Sequence, residues 1–161
     1  MTSPLDTLSF HRATRADAAA IERLVAITVG FSNAYEYDAR ARGRIVRLYS
    51  GEALTRPIGR KQVHVARDAK GLAGMVSISP ARGRLNVDGL FVHPEMQGLG
   101  LGSQLLAHGL GMAAAPPPKA PAPRVTVLSS LTAEGFYARH GFDRLREVPR
   151  DYGLTILMSR S

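Results

Sequence analysis

Apolar positions in the N-terminal part of the chain recur at helical spacing. Ala18, Ile21, Leu24 and then Thr28 with Val29 fall three or four residues apart, which predicts an amphipathic helix over residues 15–29. Thr14 and Asp17 stand just ahead of it with the spacing of a capping box, Asp replacing the more usual Glu. Weak alternation over residues 8–13 predicts a first strand. Ala41, Ile45, Leu48 and Tyr49 share one face of a second helix.

From Gln62 the period shortens to two. Val63 and Val65 alternate with His64 and Ala66, a turn follows at Asp68, Ala69, Lys70 and Gly71, and residues 72–79 are largely apolar up to Pro80. These segments predict a β-hairpin, and residues 85–92 the next strand. Leu101, Leu105, His108 with Gly109, and Met112 then mark a helical face. Residues 113–123, rich in alanine and proline, read as an extended low-complexity connection. Residues 125–128 predict a short buried strand, and residues 132–140 a helix closed by Gly141. Phe142 opens another strand, and residues 154–158 form the last. The order predicts an α/β (α+β) fold: a mixed, mostly antiparallel central sheet flanked by helices.

A length of 161 residues leaves room for one core, so residues 8–161 read as a single domain. No apolar run approaches the roughly 20 residues of a membrane span. The first residues lack the basic and apolar stretches of a secretory signal, so a cytoplasmic location without membrane partners is expected. Cysteine is absent, which excludes disulfides, thiolate zinc sites and a cysteine nucleophile. The histidines (His11, His64, His93, His108 and His140) show no metal-ligand spacing, so no metal is expected. His140 precedes Gly141 at a helix end, where a cation suits the dipole, and His64 is a candidate for lining a cleft. The net charge is +8, and arginine supplies all of the basic residues except Lys61, Lys70 and Lys119. The basic residues are dispersed, so one phosphate site plus compositional bias explains them more simply than a nucleic-acid surface.

The most informative segment joins the strand at residues 85–92 to the following helix. It reads His93, Pro94, Glu95, Met96, Gln97, Gly98, Leu99, Gly100, Leu101, Gly102, Ser103. Glycines there let the backbone approach a ligand, and the first amides of the helix have no internal partners, so a diphosphate fits. The Gly-Lys-Ser/Thr of a P-loop is missing. The third glycine is misplaced for the dinucleotide fingerprint, and the loop follows antiparallel strands. Spacing alone yields a phosphate cradle and leaves its ligand unnamed.

Two motifs carry a family resemblance. Gln97, Gly100 and Gly102 match a Q/R-x-x-G-x-G/A signature, and Ala133, Phe136, Tyr137, Gly141 and Phe142 match an A-x-x-F-Y-x-x-x-G-F helix. On these the chain resembles the GNAT superfamily of acyl-CoA N-acetyltransferases. The resemblance implies acetyl-CoA as cosubstrate, with its pyrophosphate on the N–H groups of Gln97, Gly98, Leu99, Gly100, Leu101, Gly102 and Ser103. It implies a sheet splayed between the strands at 85–92 and 125–129, the backbone of Leu90 and Val92 pairing with the pantetheine arm. An N–H near Phe91 or Val92 would meet the thioester oxygen. Ser129, Ser130 and Thr132 fall where relatives contact the thiol end, with helix capping by Ser130 or Thr132 as the alternative.

Tyr137 matches the family's general acid by position, and a phenol protonates a thiolate at little cost. Packing beside Phe136 is its plainer reading. Asp88, within the strand before the loop, is the candidate base, with Glu95 as an alternative that reads as turn surface; alternation puts Asp88 on the face of Leu90 and Val92 unless a bulge intervenes. Without a cysteine, direct attack by an amine in a ternary complex is expected. Residues 31–49 would line the acceptor site, with Tyr35, Glu36, Tyr37 and Asp38 as possible contacts or a solvated face. The final strand follows Asp151, Tyr152 and Gly153 closely, which suggests a trimmed acceptor wall. Rival readings are a non-catalytic acyl-CoA-binding regulatory module and an acetyltransferase for protein or aminoacyl-tRNA amines. A homodimer is left open.

Overall fold

The period-two runs become a seven-stranded sheet. Its strands are β1 (Ser9–Arg12), β2 (Gln62–Asp68), β3 (Gly71–Ala81), β4 (Arg84–Val92), β5 (Arg124–Ser129), β6 (Asp143–Arg150) and β7 (Gly153–Arg160), in the spatial order β1-β2-β3-β4-β5-β7-β6. Every neighbouring pair is antiparallel except β4 with β5. The computed structural model describes residues 3–50, 61–113 and 123–161. The expected proline-rich connection, over its residues 114–122, lies outside the described residues.

Among the described residues, four α-helices flank the sheet: α1 (Ala18–Ser32), α2 (Ala39–Arg47), α3 (Leu101–Ala113) and α4 (Glu134–Arg139). Helix α1 starts later than its sequence pattern suggests, because Arg15–Asp17 forms a tighter 3-10 turn. The capping box forms: the Asp17 carboxylate accepts from the Thr14 N–H at 2.8 Å. Asp17 also pairs with Arg67 of β2 at 2.7 Å, tying the start of α1 to the sheet. Burial opposes its ionisation, but the Thr14 amide, Arg67 and His11 together hold its carboxyl below the usual range.

Each face of the sheet has its own core. Ile21, Leu24, Val25 and Val29 of α1 pack with Ile45, Tyr49, Val65 and Met75 on one side. Leu101, Leu105, Leu106 and Leu110 of α3 pack with Val76, Ile78, Val87, Val127 and Tyr137 on the other. Alternation along β3 and β4 explains the division up to Val87. There Ser77 pairs with Gly89 and Ile78 with Val87, so Asp88 is a one-residue bulge that shifts the alternation.

His64 is a buried exception to the apolar face that packs on α3. It is only 3% exposed, its ring meets His108 edge-on at 5.0 Å, and neither ring nitrogen has a hydrogen-bond partner among the described residues. Burial, then the neighbouring His108 and Arg12, holds its pKa below the ordinary 6.5. The unfolded chain therefore binds this proton more readily than the folded one. Stability from the neutral ring is fully present above pH 6.5 and is lost as pH falls through the lower folded value. Urea midpoints are expected to drop on acidification from neutral pH. The drop should be shallower in His64→Leu, by up to about 1.4 kcal/mol per pH unit; parallel curves would show that His64 is not responsible.

Candidate active site

Strands β4 and β5 pair only from Arg84↔Arg124 to Val87↔Val127. Beyond Val87, among the described residues, β4 continues to Val92 with no strand on that edge. The gap is part of a cavity of about 560 Å³. It runs from the glycine loop past Leu90, Phe91 and Tyr137 to Tyr49 and Tyr152. A cleft between parallel strands is where the resemblance places it.

At one end lies the start of α3. Gly98 and Gly100 have φ of +78° and +91°, a region that disfavours any residue with a Cβ. A Cβ added at either would meet nothing within 4 Å, so both backbones border open space. The first helical bond here runs from the Gln104 N–H to the Gly100 carbonyl. Among the described residues, no carbonyl or side chain accepts from the N–H groups of residues 98–103. Unpaired amides at a helix N-terminus, bordering an open cavity, fit a diphosphate.

Gln97 differs from its expected place in that row. Its N–H is turned to the Pro94 carbonyl at 3.4 Å. Its side-chain amide donates to the Val92 carbonyl at 3.0 Å and to Ser32 Oγ at 2.8 Å, so it fastens the loop to β4 and α1. Thr28 Oγ1 also donates to the Val92 carbonyl, which leaves that carbonyl already satisfied. Leu90 continues the open edge beside Val92, whereas the backbone of Phe91, like that of His93, is turned to β3.

The second motif forms α4. Tyr137 is buried, set edge-on to Phe136 and Phe142, and its phenol makes no hydrogen bond among the described residues. Burial pushes this phenol well above its ordinary pKa, so it keeps its proton across the physiological range. Its neighbour in sequence, His140, has an unforeseen role. Nδ1 lies 2.8 Å from the Phe136 carbonyl and so carries a proton; in the neutral ring Nε2 then accepts from the Ser103 hydroxyl at 2.9 Å. The start of α3 is thereby joined to the helix bearing Tyr137.

The bulge corrects the expected face of Asp88. Its carboxylate accepts from Ser79 Oγ at 2.6 Å, Asn86 Nδ2 at 2.9 Å and Ser77 Oγ at 3.1 Å. Ser77 and Ser79 share the face of Met75, towards α1, whereas Leu90 and Val92 pack with the α3 core. Asp88 nevertheless borders the cavity and is the one acidic side chain among its described lining residues.

The acceptor-side expectations divide. Tyr35 is fully exposed, and Asp38 caps α2 through the Ala41 N–H at 2.8 Å. Tyr37 and Tyr152 both line the cavity. Glu36 clamps the loop after β5, accepting from the Leu131 N–H at 2.6 Å and from Thr132 Oγ1 at 2.7 Å. Burial acts to raise the Glu36 pKa, yet bonds from Thr132, Asn33 and the Leu131 amide hold it below the ordinary value. Thr132 thus faces Glu36, and Ser130 Oγ accepts from the Ala133 N–H as a local cap. No three-ligand cluster of His, Asp or Glu occurs among the described residues.

Residues 35–158 match the family model for the acetyltransferase (GNAT) domain. The chain belongs to the GNAT acetyltransferase family. No curated protein matches it by sequence. Solved GNAT structures share its fold at low identity. A GCN5-related N-acetyltransferase from Rhodopseudomonas palustris superposes with a TM-score of 0.79 at 20% identity, covering 96% of both chains. The PaiA N-acetyltransferase of Thermoplasma acidophilum, solved with coenzyme A, gives 0.78 at 15% identity over 96% of this chain and 98% of that one. Escherichia coli ElaA gives 0.68 at 17% identity, over 96% and 99%. For this GNAT chain, membership supports acetyl transfer as the chemistry. No described helix is long and apolar enough to cross a membrane.

The geometry of residues 98–103 generates a direct test, with coenzyme A as the diphosphate probe. In Gly100→Ala a side chain would be forced into a backbone conformation costing about 1–2 kcal/mol. Calorimetric titration is expected to show affinity reduced by about 10-fold or more. Unchanged affinity would remove these amides from the binding site.

Proposed function

We propose that this protein is an N-acetyltransferase that moves acetyl from acetyl-CoA to an amine by direct attack within a ternary complex. One observation carries the reading: unpaired amides, an open strand edge and a buried protonated phenol border the same cavity. The cosubstrate supplies an acetyl group on a thioester. The amides of residues 98–103 bind its pyrophosphate, and the open edge at Leu90 and Val92 receives the pantetheine arm. An N–H near Phe91 or Val92 stabilises negative charge on the thioester oxygen, an effect of about 3–4 kcal/mol for one well-placed donor.

Tyr137 holds a proton at its phenolic oxygen and gives it to the departing sulfur. Its raised pKa secures that proton beforehand; the thiolate, whose ordinary pKa is about 8.5, is the weaker base, so the transfer is uphill on its own and is drawn along by collapse of the tetrahedral adduct. Asp88 receives the proton of the incoming amine. Three donors occupy three of its roughly four lone-pair sites, which leaves one site free to take a proton. Ser103 and His140 hold α3 and α4 in register; they are positioning residues.

The test is thiol release from acetyl-CoA across an amine panel. Tyr137→Phe is expected to lower kcat by about 100-fold while coenzyme A affinity stays within about 2-fold. Asp88→Asn should lower kcat/KM most at neutral pH, the deficit shrinking as the amine becomes free base near its own pKa, about 10. Tight coenzyme A binding with no turnover on any amine would favour a regulatory acyl-CoA module instead.

A further inference from the structure

Four of the chain's five tyrosines, Tyr37, Tyr49, Tyr137 and Tyr152, border the one cavity. Three of them lie in the half away from the glycine loop, with Ile45, Leu48 and Phe91. Tyr37 meets Tyr152 edge-on at 6.1 Å, and Tyr49 meets Phe91 edge-on at 5.0 Å. Gly89 is needed beneath them, because a Cβ there would run into the Tyr49 hydroxyl and the Phe91 ring.

The polar side chains that border the cavity at Tyr49 and along α1 are already committed within the protein. The Tyr49 hydroxyl donates to the Asp88 carbonyl at 2.7 Å, and Thr28 Oγ1 donates to the Val92 carbonyl. Ser32 Oγ accepts from Gln97, and Asn33 donates to Glu36. What remains for an acceptor is aromatic and aliphatic surface, the Tyr152 hydroxyl and the carboxylate of Asp88; the Tyr37 hydroxyl lies next to Glu36. Glu36 is itself engaged by Asn33, Leu131 and Thr132, so a second ammonium or a carboxylate on the ligand would find no free charged partner among the described lining residues of this half.

We infer that the acceptor is an arylalkylamine: a primary amine on a short chain, with an uncharged aromatic body. The inference rests on the acetyltransferase reading above and narrows its substrate. The ring lies against Tyr37, Tyr49 and Tyr152, where tyrosine edges and faces favour offset or edge-on partners. The amine points to Asp88, beside the Tyr49 ring that is tied to the Asp88 backbone. Aromatic faces also attract the ammonium form as it enters.

The closing experiment compares 2-phenylethylamine, spermidine and phenylalanine in two readouts: thiol release with acetyl-CoA, and calorimetric binding to the protein loaded with coenzyme A. The expected kcat/KM for 2-phenylethylamine exceeds that for the other two by about 100-fold. Spermidine or phenylalanine reacting equally well would overturn the inference and leave the acetyltransferase reading standing. Binding of 2-phenylethylamine alone, without thiol release, would uphold the aromatic site and overturn transfer. Failure of 2-phenylethylamine both to bind and to react would overturn the inference. Tyr152→Ala should raise KM for 2-phenylethylamine by about 10-fold while KM for acetyl-CoA stays within about 2-fold. An equal rise in both would mean that Tyr152 is structural and would count against the inference.

Discussion

Everything at this site follows from the early end of pairing between β4 and β5. Two parallel strands in the middle of a sheet ordinarily satisfy each other along their length, and an unpaired backbone edge in a buried setting is costly. Here the register stops at Val87 and Val127, while β4 runs on to Val92. The exposed edge is tolerable only because it faces a cavity open to water or a ligand. The bulge at Asp88 sits one residue beyond the last pair, where the two strands part.

The rest of the framework holds that opening in place from both sides. Gln97 joins the glycine loop to the end of β4 and to α1. Ser103 and His140 join α3 to α4. Two separate cores, one on each face, let the sheet stay anchored along β2, β3 and β7 while its centre divides. The amides at the head of α3 are accordingly left pointing at open space by a rigid surround, which is the pre-organisation that anion binding requires.

The sequence made the local features readable and concealed the long-range ones. The helices, the hairpin and the glycine loop lie close to their sequence-based positions because each is governed by neighbours a few residues away. Tyr137 was found through a motif within one helix. The face of Asp88 is not legible in the sequence, because a bulge depends on how β4 registers against β3 and leaves no mark in alternation alone. Motif spacing presents Gln97 as one more backbone amide, whereas its side chain fastens the loop, in part through Ser32, 65 residues away. Ser103 and His140 are 37 residues apart, and neither spacing nor composition pairs them. The convergence of Tyr37, Tyr49 and Tyr152 likewise exists only once α2 and the β6–β7 turn are folded onto the same opening.

The clamp at Glu36 couples the two halves of the cavity mechanically. That carboxylate belongs to the connection between α1 and α2, whereas its partners Leu131 and Thr132 belong to the loop leading into α4. Neither rim can shift without stretching the same three bonds or carrying the other rim along. Displacing that one carboxylate would strip two backbone amides and a hydroxyl in the approach to α4 of their partner at once.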